Sequence, residues 1–396
     1  MTEEPILPTR LAPEATTPPG APPGVPWQPW TPLPTVWEAP LRFTGTGGEY
    51  FRVWVVNTLL TLLTLGLYSP WAKVRKTRWF WRNTQLDGVA FQYHGQPLAI
   101  LRGRLLALVL LALYSLSGHL ARATSLAILG ALGALAPWLF MKAQRFKLAN
   151  TSWRGLRFSF DSSAGEAYAA VLPGVVLWLG LAAAGGVAVS HPALFALVSL
   201  AFALSVPGLH ARLKRYQHGH ARYGSIAFEF EPNGGAFYVL YLKAAAAMVA
   251  IGVAGSAAVI APLALRGTLR SGELTWPILL GLYGVIFLGY LVVGPYFAAE
   301  AQQIVWPATH GGPIRFATRI AAWPLLKVVA RNVLLTVLTL GLYWPFAAVA
   351  LARYRIECAS LRSSAPLEAV AAGVPADAAA ALGDGAVDLF GLDIGL

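Results

Sequence analysis

NTLLTLLTLGLYSPW, residues 57–71, returns 275 positions later as NVLLTVLTLGLYWPF, residues 332–346. Eleven of the fifteen aligned positions are identical. Each copy is an apolar run that ends in Gly-Leu-Tyr-x-Pro, and Gly and Pro so close together interrupt a helix. The phrase therefore predicts an apolar helix with a break near its end, made twice by one chain. The matched polar, glycine, tyrosine and proline positions are Asn57/Asn332, Gly66/Gly341, Tyr68/Tyr343 and Pro70/Pro345.

The composition of the chain indicates a membrane protein. Of its 396 residues, 56% are hydrophobic and only 12% are charged, which is about half the charged fraction of a soluble domain. Apolar stretches of about 20 residues, enough to cross a bilayer core of about 30 Å, recur along it. We predict an all-α polytopic membrane protein with six transmembrane helices. The predicted spans are 104–121, 124–141, 168–190, 193–211, 236–263 and 276–299.

Basic residues are concentrated in four long connections. Lys and Arg number 21 in residues 73–104, 142–157, 212–243 and 315–331, against three in the connections between them. This asymmetry predicts that the basic connections lie in the cytoplasm. It also accounts for the net charge of +12 without a nucleic-acid partner. The partner expected instead is the lipid bilayer, including its anionic headgroups.

The two segments that hold the repeated phrase, 51–72 and 325–350, allow two topologies. If both cross fully, the chain has eight spans and both tails lie outside. If each dips in and returns, or lies tilted, both tails stay with the basic connections. The helix-breaking phrase and the basic residues on both sides of each copy favour two re-entrant or tilted helices, since non-helical backbone is tolerated at membrane depth where protein buries it.

A second repeat occurs in the basic connections. Residues 83–93, NTQLDGVAFQY, align without a gap with residues 150–160, NTSWRGLRFSF. The closing Phe-x-aromatic returns in 220–230 and in part in 308–318, and 41–51 resembles the same closing half. Alternating aromatics bounded by turn residues predict short strands. Internal self-similarity of this kind indicates duplication.

These phrases resemble the YjgN family of bacterial inner-membrane proteins, itself a family of unknown function. The resemblance rests on NTLLTLLTLGLYSPWAKVR, on the NTxLxGxxFxYHG run at 83–95, on the second TLGLYWP and on the ending DLFGLDIGL. It covers about residues 41–396. It implies an inner-membrane location and a multi-pass topology, and it implies no activity or catalytic residue. The second copy departs from the first at Phe346-Ala347-Ala348, where the first has Trp71-Ala72-Lys73.

The sequence predicts three regions. Residues 1–40 hold twelve of the 28 prolines and are typical of a disordered tail. Residues 41–362 form the membrane domain with its internal repeats. Residues 363–396 carry acidic residues but no Lys or Arg and are predicted to be a flexible acidic tail.

The sequence offers little to support catalysis. A single cysteine, Cys358, excludes a cysteine metal cluster, and His210, His218 and His220 have no acid beside them to complete a tetrahedral set. Phosphate-loop and nucleophile-elbow motifs are absent. We therefore expect no enzyme activity, no cofactor and no metal.

Three polar residues in or near apolar segments are the candidate functional groups. Asn57 and Asn332 need hydrogen-bond partners; they could bond each other across the two repeats or line a small polar path. Glu300, in AAEAQQ, lies at the end of a span. It is either a functional carboxylate or the partner of a basic residue at the rim. Two functions stay open: small-solute transport or a channel-like activity, and a non-transporting scaffold or lipid-interacting protein.

Overall fold

The computed structural model describes residues 37–117, 122–232, 234–265 and 276–364. In these ranges the chain forms ten α-helices: α1 Gly47–Leu63, α2 Ser69–Arg82, α3 Pro97–Ser117, α4 Arg122–Ala149, α5 Ala164–Gly185, α6 Pro192–Gly219, α7 Ala236–Leu265, α8 Trp276–Val305, α9 Ala322–Leu338 and α10 Trp344–Glu357. The short strands among them are β1 Trp37–Phe43, β2 Thr84–Leu86, β3 Val89–Ala90, β4 Gln92–Tyr93, β5 Thr151–Trp153, β6 Leu156–Phe160, β7 Ala221–Tyr223, β8 Ile226–Ala227, β9 Glu229–Phe230, β10 Thr309–Gly311, β11 Ile314–Thr318 and β12 Ala359–Ser363.

The strands close into one antiparallel ring. They pair in the orders β3-β2-β1-β12-β11-β10-β9 and β4-β5-β6-β7-β8. The edge strands β3 and β4 are two parts of one stretch, residues 89–93, and β8 and β9 are two parts of residues 226–230. Both sheets therefore share both edges, and the described strands form a barrel. Closure of this kind protects edge strands from pairing with another chain.

The barrel is built from five similar units. In four of them a helix runs into the barrel, a hairpin follows, and the next helix leaves: α2 to α3, α4 to α5, α6 to α7 and α8 to α9. Tight turns make these hairpins, and Asp87-Gly88 and Arg154-Gly155 have positive φ at both positions, as type I′ turns require. The fifth unit comes from the two ends of the chain, where β12 after α10 pairs with β1 before α1.

The helices form a ring as well. Each packs against the next in chain order, and α10 packs against α1. Six of them, α3 to α8, are long and apolar enough to cross a membrane, which confirms the six predicted spans. The spans in the structure extend beyond the predicted ones, α4 to Ala149 and α6 to Gly219, because the basic residues continue each helix as far as the barrel.

The two segments with the repeated phrase are helical hairpins. Each is a pair of short helices, α1–α2 and α9–α10, and the ends of each pair meet at the barrel. The Thr44 amide donates to Asn83 O at 2.9 Å, and the Arg319 amide donates to Cys358 O at 2.7 Å. Each segment therefore returns to the side on which it began. This agrees with the re-entrant alternative and contradicts eight full spans.

The barrel takes in residues from both predicted tails. Trp37 to Pro40 belong to β1, where they pair with β12, and Ser363 belongs to β12. Backbone pairing between the two ends of the chain draws these residues into the barrel despite their composition. The rest of the predicted tails, 1–36 and 365–396, lies outside the described residues.

Candidate functional site

A cavity of about 670 Å³ lies where the helix ring meets the barrel. All five helices that run into the barrel contribute to its lining. It is therefore on the axis of the ring. One representative from each of α2, α4, α6, α8 and α10 is Trp81, Leu148, Lys214, Gln302 and Arg355.

The barrel lines the cavity with aromatic rings. Four of these residues are the first aromatic of the repeated Phe-x-aromatic motif or its equivalent, so duplication of the motif places one ring from each hairpin in the same layer. Several also belong to the buried core that fills the barrel. The cavity is thereby closed on the strand side by packed side chains. The four rings are Phe91, Phe158, Phe228 and Phe316, with Leu41 in the corresponding position of β1.

Helix α8 presents one face to the cavity. Residues 297, 298, 301, 302 and 305 line it, a spacing that puts them on one side of a helix. The face is mostly small or apolar, with Gln302 as its polar group. Gln302 is 5% exposed, and its Nε2 donates to Thr318 Oγ1 and to Arg355 O, both at 3.3 Å.

Arg355 is held by this glutamine. Its Nε donates to Gln302 Oε1 at 3.3 Å, which fixes the plane of the guanidinium. Burial lowers the pKa of Arg355 from its ordinary value, but an arginine stays protonated in proteins. The cavity therefore holds a permanent positive charge.

Lys214 supplies a second cation. It is 8% exposed, and within the described part of the chain no carboxylate lies within ion-pair distance of its Nζ. The charges that act on it are those of Lys147 and Arg355, which repel it. An ammonium group buried without a partner is unfavourable by several kcal/mol.

The two histidines of the cavity are engaged in hydrogen bonds. His210 Nδ1 lies 3.2 Å from Tyr241 Oη. His218 Nδ1 lies 3.1 Å from Thr309 Oγ1, and that hydroxyl already donates to Val305 O at 2.9 Å. Thr309 therefore accepts from His218, which places the proton on Nδ1. An imidazole carries no negative charge, so neither histidine offsets the charge of Lys214.

Tyr223 gives the cavity a neutral hydroxyl. Burial raises the pKa of this phenol to about 12, and the hydroxyl donates to Trp153 O at 3.0 Å. Because the bond joins neighbouring hairpins, its role is to hold the barrel together.

A second cavity of about 360 Å³ adjoins the first. The two share Trp81, Thr84, Arg355 and Ile356. The second is lined in addition by Lys73, Lys76 and Lys147, and within the described ranges of the chain no Asp or Glu lines either cavity. Lys147 and Arg355 occupy equivalent places, four residues before β5 and four before β12.

The structure places the predicted asparagines outside this site. Asn57 Nδ2 donates to Ala72 O at 3.3 Å, and Asn332 Nδ2 donates to Ala347 O at 3.4 Å. Each ties together the two helices of its own hairpin, so the prediction that they bond each other is wrong. Neither lines either cavity. Both Oδ1 atoms are buried, and neither has a hydrogen-bond partner within the part of the chain that the structure describes.

The predicted signature residues build the turn of each hairpin. Gly66 and Gly341 have φ of 90° and 92°, a region that favours glycine. The Tyr68 and Tyr343 amides both donate to a threonine Oγ1 at 2.9 Å. Pro70 and Pro345 lie in the first turns of α2 and α10, where a missing amide is tolerated.

Glu300 faces away from the central cavity. It lies in a separate hollow of about 320 Å³ that Lys243 of α7 also lines. Its neighbours Ala301 and Gln302 face the cavity instead. The sequence located the correct turn of α8, but only helical phase decides which of its side chains point inward.

The histidines considered as metal ligands do not converge. His210 and His218 have the partners given above, while His220 bonds Tyr216 O and Glu166. A different trio, Glu229, Glu231 and His310, has potential ligand atoms within 4.8 Å. Both glutamates are exposed, and Glu231 Oε2 lies 3.7 Å from His310 Nε2.

Sequence reasoning missed Lys214, Arg355 and Lys147 as site residues. Lys147 and Lys214 belong to the basic connections that orient the chain, and Arg355 follows the second copy of the repeated phrase. Lys147 and Arg355, each four residues before the first strand of its unit, carried the available signal, since residues in equivalent places of repeated units face the same axis. Lys214 lies seven residues before β7 and does not share that distance.

Residues 38–389 match a family of bacterial proteins of unknown function, DUF898. The chain belongs to the DUF898 family. It is 34% identical over 129 residues to the inner membrane protein YjgN of Salmonella typhimurium, and 34% identical over 127 residues to the protein of that name in Escherichia coli strain K12. These matches cover 32% and 31% of this chain and 33% and 31% of the relatives. The chain thus matches about a third of the length of these relatives. No solved structure matches.

Membership in DUF898 confirms the family resemblance of the repeated phrases. With six helices able to span a membrane and relatives named as inner membrane proteins, this DUF898 chain is an integral, multi-pass inner-membrane protein.

Proposed function

We propose that this protein carries a small solute across the inner membrane along the axis of its helix ring. The observation that carries the proposal is the cavity of about 670 Å³ that all five helices running into the barrel help to line. A volume of this size accommodates a small-molecule ligand. The activity proposed is transport without chemical conversion of the solute.

The filled barrel favours a carrier over a permanently open channel. Leu86, Trp153 and Tyr223 belong to the barrel core and also border the cavity. A solute leaving on that side has to displace packed side chains. Alternate opening of the two ends of the cavity meets this requirement, and it is how carriers built from repeats work.

The orientation proposed places the barrel in the cytoplasm. All four basic connections end in the barrel, so one face of the molecule carries them together, and basic segments are retained on the cytoplasmic side. On that face they are also placed to meet anionic headgroups. The described ends of the chain, β1 and β12, lie there too.

Flux into proteoliposomes tests transport. We expect protein-dependent uptake of a member of a panel of neutral, cationic and anionic solutes. Ala301→Phe, which fills the cavity from α8, lowers that uptake at least tenfold. Leu288→Phe, on the same helix at a side chain that is 49% exposed, leaves it unchanged. If vesicles without the protein and vesicles that contain it take up every solute class equally, the proposal is contradicted.

The second candidate is a lipid-interacting scaffold. It is favoured by the tips of the two hairpins, where Leu65 and Leu340 are 97% and 95% exposed. Leucines so exposed are suited to contact with acyl chains. If the protein adds no flux for any solute but retains one lipid class selectively during purification, the scaffold is supported instead.

A further inference from the structure

The two joined cavities carry an excess of positive charge. Lys214 and Arg355 line the central one, and Lys147 and Arg355 line its neighbour, and among the residues that the structure describes no acidic residue belongs to either lining. Buried charges in proteins are normally paired. The described part of the chain supplies no such counter-charge, and a bound anion can supply it.

The two central cations suit an oxyanion. Only the Nε of Arg355 is used by Gln302, and no hydrogen bond of its two terminal amino groups occurs within the described residues. A guanidinium with a free fork binds carboxylate or phosphate through two parallel hydrogen bonds. Lys214 has three N–H donors at the same cavity, and Lys147 adds a longer-range attraction for an anion.

The remainder of the lining suits an apolar body. It consists mainly of apolar side chains, among them Trp81, Phe297, Trp306 and the aromatic layer of the barrel. A hydrated inorganic ion would leave these rings without a partner, whereas an organic acid covers both parts of the lining.

We propose that Lys214 and Arg355 bind the carboxylate or phosphate group of an amphiphilic organic anion whose apolar body packs against the aromatic rings of the cavity. This assignment rests on the proposed function in taking the bound anion as the transported solute. A soluble organic acid and an anionic lipid share the required chemistry.

Binding to the purified full-length chain in an uncharged detergent tests the site without requiring flux. Calorimetry compares naphthoate with uncharged naphthamide, and native mass spectrometry compares phosphatidic acid with phosphatidylcholine. In at least one of these two pairs, we expect the anionic compound to bind at least tenfold more tightly than the compound without net charge. Lys214→Met weakens that binding about tenfold or more, Lys214→Arg retains most of it, and Lys243→Met, outside both cavities, has no effect.

The two ligand pairs distinguish a soluble acid from a lipid headgroup, and the comparison of binding with flux distinguishes the anion site from transport. Selective binding of naphthoate identifies a soluble acid, and selective binding of phosphatidic acid identifies a lipid headgroup. Binding without flux supports the site and contradicts transport. Equal affinity for charged and uncharged ligands overturns the site, and this comparison on the unaltered protein decides the matter even where a variant fails to fold. Equal affinity of a folded Lys214→Met also overturns it.

Discussion

Ser360 Oγ donates a 2.9 Å hydrogen bond to Glu38 Oε1, although 322 positions separate the two residues in the chain. The same carboxylate lies 3.4 Å from Arg319 and 3.6 Å from Arg362. These contacts lie where β1 pairs with β12, and they hold together the unit of the barrel that has no covalent hairpin. Closure of the ring thus depends on non-covalent contacts between the two ends.

Loss of the Glu38 charge is expected to loosen this closure with a defined pH dependence. The hydrogen bond from Ser360, and then the charges of Arg362 and Arg319, lower the pKa of Glu38. The stabilisation is therefore full above the unfolded pKa of Glu, about 4.3, and is lost as the pH falls through the lower folded value. Thermal unfolding of Glu38→Gln against the unaltered protein measures it. The two midpoints should differ at pH 7 and converge in acid; a constant difference contradicts the prediction.

The asparagine contacts predict additive substitutions. Asn57→Ala and Asn332→Ala each remove one hydrogen bond within one hairpin, so each is expected to lower the free energy of unfolding by about 1 kcal/mol. Because the bonds share no partner, the double variant should show the sum of the two within about 0.5 kcal/mol. Unfolding of all four proteins in detergent completes the cycle. Strong coupling would mean that the two asparagines contact each other.

The hairpin tips predict a labelling pattern. In a Cys358→Ser background, we expect Leu65→Cys and Leu340→Cys to resist a membrane-impermeant maleimide from either side of the membrane, because a re-entrant topology would leave both tips in hydrocarbon. Arg315→Cys, on an exposed barrel position, serves as the matched control and should react in inside-out vesicles only. Labelling of the tips from the outer side of intact cells would show full crossing.

Gly311 predicts a packing requirement in the barrel. A Cβ there would lie 2.7 Å from Ala227 O and 2.7 Å from Phe228 Cδ1, and backbone cannot give way easily. Gly311→Ala is expected to lower the free energy of unfolding by about 1–3 kcal/mol. Gly48→Ala, where a Cβ meets nothing within 4 Å, is the control. Equal unfolding midpoints for the two variants would contradict the packing argument.

Local patterns accounted for much of the architecture. Hydropathy located α3 to α8, since an apolar stretch long enough to span a bilayer is visible in the residues themselves. The Gly-Leu-Tyr-x-Pro break located both hairpin turns. The Phe-x-aromatic repeats located the strands of the four basic connections and the closing half at Leu41 and Phe43, whereas β12 carries no such motif. These features depend on the backbone geometry and hydrophobicity of short stretches of sequence, so they can be predicted without knowledge of the fold.

Local patterns in the sequence could not identify the residues that line the candidate cavity. In the sequence, nothing distinguishes Lys214 and Arg355 from the basic residues beside them. A carboxylate near a span also draws more attention than an amide, so Glu300 was chosen as a candidate site residue and Gln302 was not. Their roles depend on which side of each helix faces the axis.

By itself, the sequence determined that this chain lies in a membrane, where its helices span, where they break and that its units are repeated, because each of these follows from short-range chemistry. Only the tertiary structure decided that the units close into a ring through Glu38 and Ser360, and that a lysine and an arginine, neither with a carboxylate partner among the described residues, line the same cavity. Residues far apart in the chain acquire a common environment only when packing brings them together.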